Sequence, residues 1–187
     1  MSADPSIRLW KSARDGDRES LELLLRQHQD LVYRFCRARL PNENRAIDAT
    51  QETAMRMINH ISSFRGSGKF STWVLGIANN VCREFRRQDK KWNQSTGVSV
   101  DQVPTNDPAC HATVSQNLDQ NLESENLRYM IESLPDRQRT AIILRYFESL
   151  SLKEVSQIMD ISVGTVKATL SQARKNLKQK FPEGDFR

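Results

Sequence analysis

The stretch SLKEVSQIMDISVGTVKATLSQARKNL, residues 151–177, decides how the C-terminal part of this chain folds. Ser151 and Glu154 have the S-x-x-E spacing of a capping box, in which the hydroxyl accepts a first-turn amide hydrogen and the carboxylate reaches back to the cap amide. A helix is therefore expected to begin beside them. Asp160, Ile161 and Ser162 make a short turn, and Ser162 is placed to cap a final helix running to about Lys180. Leu152, Val155, Ile158, Met159, Ile161, Val163, Val166 and Leu170 supply the contacts of two short helices packed across that turn, which is the helix-turn-helix pattern. The second helix is expected to present Thr165, Lys167, Ala168, Thr169, Ser171 and Gln172 outward, followed by Arg174, Lys175, Lys178 and Lys180, with no acidic residue from Lys167 to Lys180. Such a helix suits a major groove, reading base edges with its front and holding phosphates with its tail. A helical hairpin with a merely solvated basic face is the alternative. The box, the turn and the basic tail occurring together favour DNA, although the motif would serve a repressor equally well.

Ahead of this stretch, Leu127, Met130, Ile131 and Leu134 form an amphipathic segment that ends at Pro135, a residue suited to the first turn of the next helix. From Trp92 to Leu127 there is no Lys or Arg, whereas Asp101, Asp107, Asp119, Glu123 and Glu125 are all acidic. Gly97, Pro104, Pro108 and many small polar residues in this stretch cannot bury enough apolar area to offset ordering entropy, so residues 92–126 read as an acidic, flexible linker. Earlier still, Leu21, Leu24, Leu25, His28, Leu31, Val32, Phe35 and Cys36 repeat at helical spacing until Pro41 and Asn42. A second helix is expected from about Asn44 to Ser62 and a third from about Ser71 to Lys90, with Gly66 and Gly68 in the loop between them. The expected fold is all-α: a helical bundle over residues 1–91, the linker, and a helix-turn-helix domain over residues 127–187.

The chain of 187 residues carries a formal charge of +5 and a pI near 9.3, a balance suited to a polyanionic partner. Its apolar runs fall far short of the roughly 18 residues of a membrane span, and MSADPSIRLW lacks the apolar core of a signal peptide, so a cytoplasmic protein without membrane insertion is expected. Cys36, Cys82 and Cys110 are odd in number and widely spaced, and the three histidines do not converge with them, so neither a disulfide framework nor a metal or other cofactor is expected. Cys36 and Cys82 fall on apolar helix faces, where small core residues belong. A nucleotide-binding P-loop at Gly68-Lys69 would need Gly in place of Ser63 and Ser or Thr in place of Phe70. With no arrangement suited to acid-base or nucleophilic chemistry, neither catalysis nor a small-molecule substrate is expected.

A second functional element lies at residues 64–87, FRGSGKFSTWVLGIANNVCREFRR. Phe64, Arg65, Lys69, Phe70 and Trp73 surround the glycine loop, and Asn80, Arg83, Arg86 and Arg87 follow on the next helix. Aromatic rings stack unpaired bases for about 1–3 kcal/mol each and arginines hold phosphates, so the combination suits capture of a single strand. The competing assignment makes Trp73, Ile77 and Val81 the core side of that helix.

DATQETAMRMINHISSF (48–64), FSTWVLGIANN (70–80) and LPDRQRTAIILRYFESLSLKEVSQIMDISVGTVKATLSQARKNL (134–177) resemble, in order, the extracytoplasmic-function group of sigma-70-type sigma factors. The resemblance extends over roughly Asp17 to Gln88 and Leu127 to Phe181. It implies an alternative sigma factor that binds core RNA polymerase, recognises minus-35 and minus-10 promoter elements and helps open the DNA. Asp48, Gln51 and Glu52 match the helix that docks on the polymerase clamp. Phe64 to Phe70 match the loop capturing a flipped minus-10 base on the non-template strand, and Asn80, Arg83, Arg86 and Arg87 match the adjoining DNA-contacting helix. The helix following Ser162 matches the minus-35 reader, but Thr169 and Gln172 stand where many relatives have arginines. The resemblance further implies an anti-sigma partner and a linker that passes through the active cleft. A stand-alone helix-turn-helix regulator, or an enzyme acting on nucleic acid, remains the rival assignment.

Overall fold

The computed structural model describes residues 5–96 and 129–180. The regular structure among these residues is helical, and the helices fall into two compact units. Residues 97–128, with most of the acidic linker, Cys110 and His111, and the residues after Lys180 lie outside the described residues.

The first unit opens with a helix absent from the sequence reading, α1 (Pro5–Arg14). Ser6, Trp10 and Ala13 recur at i, i+4 and i+7 and are buried, which gives this short helix one packed face. Gly16, at φ +101°, ends it in a conformation that a Cβ would strain. Asp17 then caps α2 (Arg18–Arg39), accepting from the Glu19 amide at 3.2 Å and the Ser20 hydroxyl at 2.5 Å. The Ser20 hydrogen bond holds the Asp17 carboxyl below its ordinary range. Leu24, His28, Val32, Phe35 and Cys36 form the buried stripe of α2, on the face that its periodicity predicts. Asn42 caps α3 (Glu43–Asn59) by accepting from the Arg45 amide at 2.9 Å. The buried face of α3 is small, with Ala46, Ala49 and Thr53 preceding Met57, so α2 and α4 can approach it closely. A 3-10 turn, Ile61–Ser63, leads into the glycine loop and α4 (Phe70–Thr96), which extends six residues past its expected end.

Val74, Leu75, Ala78, Val81 and Cys82 of α4 close this core. Cys36 and Cys82 are free, buried thiols 3.7 Å apart, and their mutual hydrogen bonding together with burial pushes the Cys36 thiol upward, away from the reactive thiolate. Polar ties fix the register of α3 on α4. Arg45 pairs with Asp89 and lies 5.3 Å from the Phe85 ring centroid. Arg56 donates to both Glu84 oxygens at 2.9 and 2.7 Å and to Glu52 at 2.7 Å.

In the second unit a helical turn at 129–132 precedes α5 (Asp136–Ile142). Pro135 occupies the cap position at φ −53° and ψ 144°, one place before the first-turn site expected for it. A single turn of π-helix, Ile143–Phe147, follows, and Ser149 at φ +52° turns the chain so that the Leu150 amide reaches the Leu144 carbonyl at 3.1 Å. The helices α6 (Leu152–Met159) and α7 (Val163–Lys180) complete the unit, with α5 packed on α7. Ile131, Leu134, Ala141, Leu144, Val166, Leu170 and Ala173 are buried here.

Candidate nucleic-acid interface

The turn between α6 and α7 is built by local chemistry. Ser151 and Glu154 complete their box: the Ser151 amide donates to the carboxylate at 2.8 Å, and the Glu154 amide donates to the Ser151 hydroxyl at 3.3 Å. Asp160 takes φ +52°, and the Ile161 amide then closes on the Ser156 carbonyl at 3.1 Å, ending α6. The Ser162 hydroxyl accepts the Thr165 amide at 3.1 Å and lies 2.8 Å from the Thr165 hydroxyl. This capping starts α7 at Val163 and occupies the polar atoms of both side chains.

Val166, Leu170 and Ala173 turn inward from α7, so the opposite side is left to solvent. Lys167, Ala168, Ser171, Gln172, Arg174 and Lys175 are exposed as expected, whereas Thr169 and Thr165 are half-buried at its margins. Gly164, Ala168, Ser171 and Lys175 share the middle of that face, where small side chains leave room for a groove wall and lysine reaches beyond them. Gln172 donates to Asn176 at 2.9 Å, and Asn176 donates to Gln138 of α5 at 2.8 Å, which braces this face against the neighbouring helix.

In the first unit the glycine loop corrects one expectation. Phe64 is 4% exposed and Phe70 fully buried, so neither offers a ring face to a base. They pack on each other at 5.2 Å, with Trp73 5.6 Å from Phe64 and 5.2 Å from Phe70, and with Trp10 of α1 5.1 Å from Phe64. This apolar cluster forms because four large rings, brought together from three segments, remove more area from water by packing than by projecting singly. Trp73 is half-buried, while Arg65 and Lys69 are exposed on the loop above the cluster.

Asn80, Arg83 and Arg87 stand exposed on one face of α4. Arg86, expected beside them, is half-buried and donates to the Arg39 carbonyl at 2.9 Å, so it braces α2 against α4. Lys91 lies four residues beyond Arg87 and is exposed, as is Lys90, so the cationic strip extends past its expected end. Helical spacing from Arg87 would have found Lys91.

On α3, Asp48 and Gln51 are exposed, but Glu52 is half-buried and bound to Arg56. The bidentate Glu84 hydrogen bond raises the Arg56 guanidinium pKa, and Arg56 in turn holds Glu84 below the ordinary carboxylate range. Sequence reasoning passed over Ile47 and Ile58, each 40% exposed, and Met55, 59% exposed, which share the outward face with Asp48 and Gln51. Gln51 also borders an apolar groove of about 330 Å³ between α2 and α3, lined by Leu25, Val32, Ala54 and Met57 among others. Apolar residues at positions 47, 55 and 58 on the polar side of the helix were the available signal.

The family model described as Sigma-70 region 2 matches residues 24–92, and that described as Sigma-70, region 4 matches residues 124–177. The chain is 30% identical over 184 residues to the ECF RNA polymerase sigma factor SigW of Bacillus subtilis (strain 168), a match covering 91% of this chain and 94% of that protein. It is 32% identical over 162 residues to the RNA polymerase sigma factor YlaC of the same organism, with 87% and 92% covered. The sigma factor RpoE of Bartonella quintana, solved in complex with the anti-sigma factor NepR, has a similar fold: TM-score 0.68 at 23% identity, covering 84% of this chain and 94% of that one.

Proposed function

The chain belongs to the sigma-70 family, in its extracytoplasmic-function group, and from that membership we propose how its surfaces divide the work of an alternative sigma factor that directs RNA polymerase to promoters. Residues 1–91, with α4 continuing to Thr96, form the domain that docks on core polymerase and holds the minus-10 strand, the rest of residues 92–126 the connection, and residues 127–187 the domain that holds the minus-35 duplex. Docking belongs to the outward face of α3, with Asp48 and Gln51 set among Ile47, Met55 and Ile58, while Glu52 supports that face through Arg56. Arg65, Lys69, Trp73, Asn80, Arg83 and Arg87 receive the minus-10 strand, with Phe64 and Phe70 as the buried base of the loop. Lys90 and Lys91 extend the phosphate contacts.

In the second domain Lys167, Ala168, Ser171, Gln172, Arg174 and Lys175 face the duplex, and Ser162 and Thr165 set the start of the reading helix. Thr169 reads from the edge of that face. An anti-sigma partner covers the polymerase- and DNA-facing surfaces when the factor is idle. Bond-making stays with the polymerase, so this chain carries no catalytic residue, and it works in the cytoplasm. Among the described residues no helix is long and apolar enough to cross a membrane.

The observation that carries this division is the contrast of surfaces within one chain. Exposed cations line α4 and α7, whereas the outward face of α3 carries apolar and acidic side chains, which suit a protein and repel DNA. Run-off transcription from fragmented host genomic DNA, with purified core polymerase in the presence and absence of the protein, tests it. Discrete new transcripts are expected. Their absence with active core enzyme and folded protein, together with tight binding of duplex promoter by the protein alone, would assign it instead as a stand-alone regulator.

A further inference from the structure

Trp10 lies on α1, ahead of the segment matched as region 2, yet one side chain there touches three successive points of the chain leading into the glycine loop. Its indole N–H donates to the Ile61 carbonyl at 2.9 Å, at the start of the 3-10 turn. Its ring meets Phe64 edge to face at 5.1 Å and 85°. It also covers Gly66 so closely that a Cβ there would sit 3.1 Å from Cζ3, and Gly66 holds φ +72°, which an L side chain resists. Trp10 is 5% exposed, and the Arg14 guanidinium lies over its ring at 5.1 Å, so the indole has little freedom to swing away. The exposed Arg65, Ser67 and Lys69 rise from the backbone that these contacts hold.

We propose that Trp10 is a positioning residue for strand capture: α1 sets the shape of loop 65–69 through the indole, and thereby the ability of the loop to hold an extruded minus-10 base. This rests on the assignment of that loop as the strand-capturing element. Trp10 itself touches no DNA. Its effect passes through Ile61, Phe64 and Gly66, and a small displacement of a recognition loop is enough to weaken a contact that depends on hydrogen-bond geometry. Removing the indole N–H while keeping a ring, as in Trp10→Phe, frees the Ile61 carbonyl and leaves a smaller ring over Gly66.

The test uses holoenzyme assembled from core polymerase and the full chain, and a duplex promoter recovered by the run-off experiment. 2-Aminopurine in the minus-10 segment reports opening, and abasic sites are placed one at a time in the non-template strand. In the wild type one abasic position should reduce opening sharply. Trp10→Phe should reduce opening of the intact promoter by about fivefold, the worth of one neutral hydrogen bond, while its affinity for core polymerase stays within about twofold, since the docking face on α3 is untouched. The penalty of the abasic site should also shrink in the variant, because the contact it deletes is already weakened. A residue that merely stabilised the fold would lower core binding and opening together and leave the abasic penalty unchanged, and that result overturns the proposal. If no abasic position matters in the wild type, the loop assignment fails and the proposal with it. Should Trp10→Phe not fold, Gly66→Ala approaches the same contact from the loop side, and the same loss of abasic sensitivity is required of it.

Discussion

Replacing Arg56 and Glu84 singly and together should uncover a pairwise coupling of about 1 kcal/mol between α3 and α4. The geometry sets this size. Two charge-assisted hydrogen bonds of 2.9 and 2.7 Å join the side chains, which are stronger than neutral ones, but the partners are 30% and 34% exposed, so solvent screens the pair toward the upper end of the surface range rather than the buried one. Glu84→Gln keeps the shape and removes the charge, and Arg56→Met keeps the aliphatic stem. Arg56→Met should cost more than Glu84→Gln, because Glu52 also loses its partner. Urea unfolding followed by tryptophan fluorescence isolates the relevant unit, since Trp10, Trp73 and Trp92, all three tryptophans of the chain, lie in its N-terminal half. In a unit of this size about 1 kcal/mol corresponds to a shift of roughly 4–8 °C in Tm. Because Arg56 lowers the folded-state pKa of Glu84, the coupling is fully present above the ordinary carboxylate range and is lost as pH falls through the folded value. A coupling below about 0.3 kcal/mol at neutral pH, or one that persists unchanged in acid, would refute the reasoning, because an ion pair cannot outlive the charge of its carboxylate.

Four further substitutions have outcomes set by the same structure. Ser151→Ala removes one half of the capping box and should destabilise the second unit by about 1 kcal/mol, read as a loss in its thermal transition by circular dichroism. Leu170, 5% exposed where α7 meets its core, should cost about 3 kcal/mol on truncation to alanine and, in the proposed reading, should abolish minus-35 binding by misplacing the helix rather than by removing a contact. Lys175→Ala should weaken binding to all duplex sequences alike and lower the slope of log affinity against log salt by about one, measured by fluorescence anisotropy, whereas Gln172→Ala should change affinity for the preferred promoter only.

What the sequence disclosed was whatever short-range chemistry controls. The Ser151 box, the Ser162 cap and the apolar stripe of α2 depend on neighbours within a few residues, and each stands where spacing predicted it. The orientation of Phe64 and Phe70 was illegible because it depends on rings from distant helices: Trp10 of α1, more than fifty positions away, meets Phe64, and His28 of α2 meets Phe70 at 5.1 Å. The role of Glu52 was half legible: Arg56 stands at i+4, but Glu84, which claims most of that guanidinium, comes from α4. Arg86 is a different lesson: it stands three positions from Arg83, a spacing that puts the two side by side, and only the Arg39 carbonyl at the end of α2 draws it away from solvent. The helix α1 went unnoticed because ten residues with one buried face give a periodic signal too brief to stand out, although Pro5 and Gly16 mark its two ends.

The outward face of α3 has a consequence for how this protein persists in a cell. Ile47, Met55 and Ile58 keep apolar area in water whenever nothing covers them, and a partner that covers them binds only the folded chain. The stability of the folded state then rises with the logarithm of the free partner concentration. With the proposed docking on that face, the supply of its occupant contributes to the lifetime of the protein, and chains made in excess of their partners are more open to unfolding, aggregation and proteolysis.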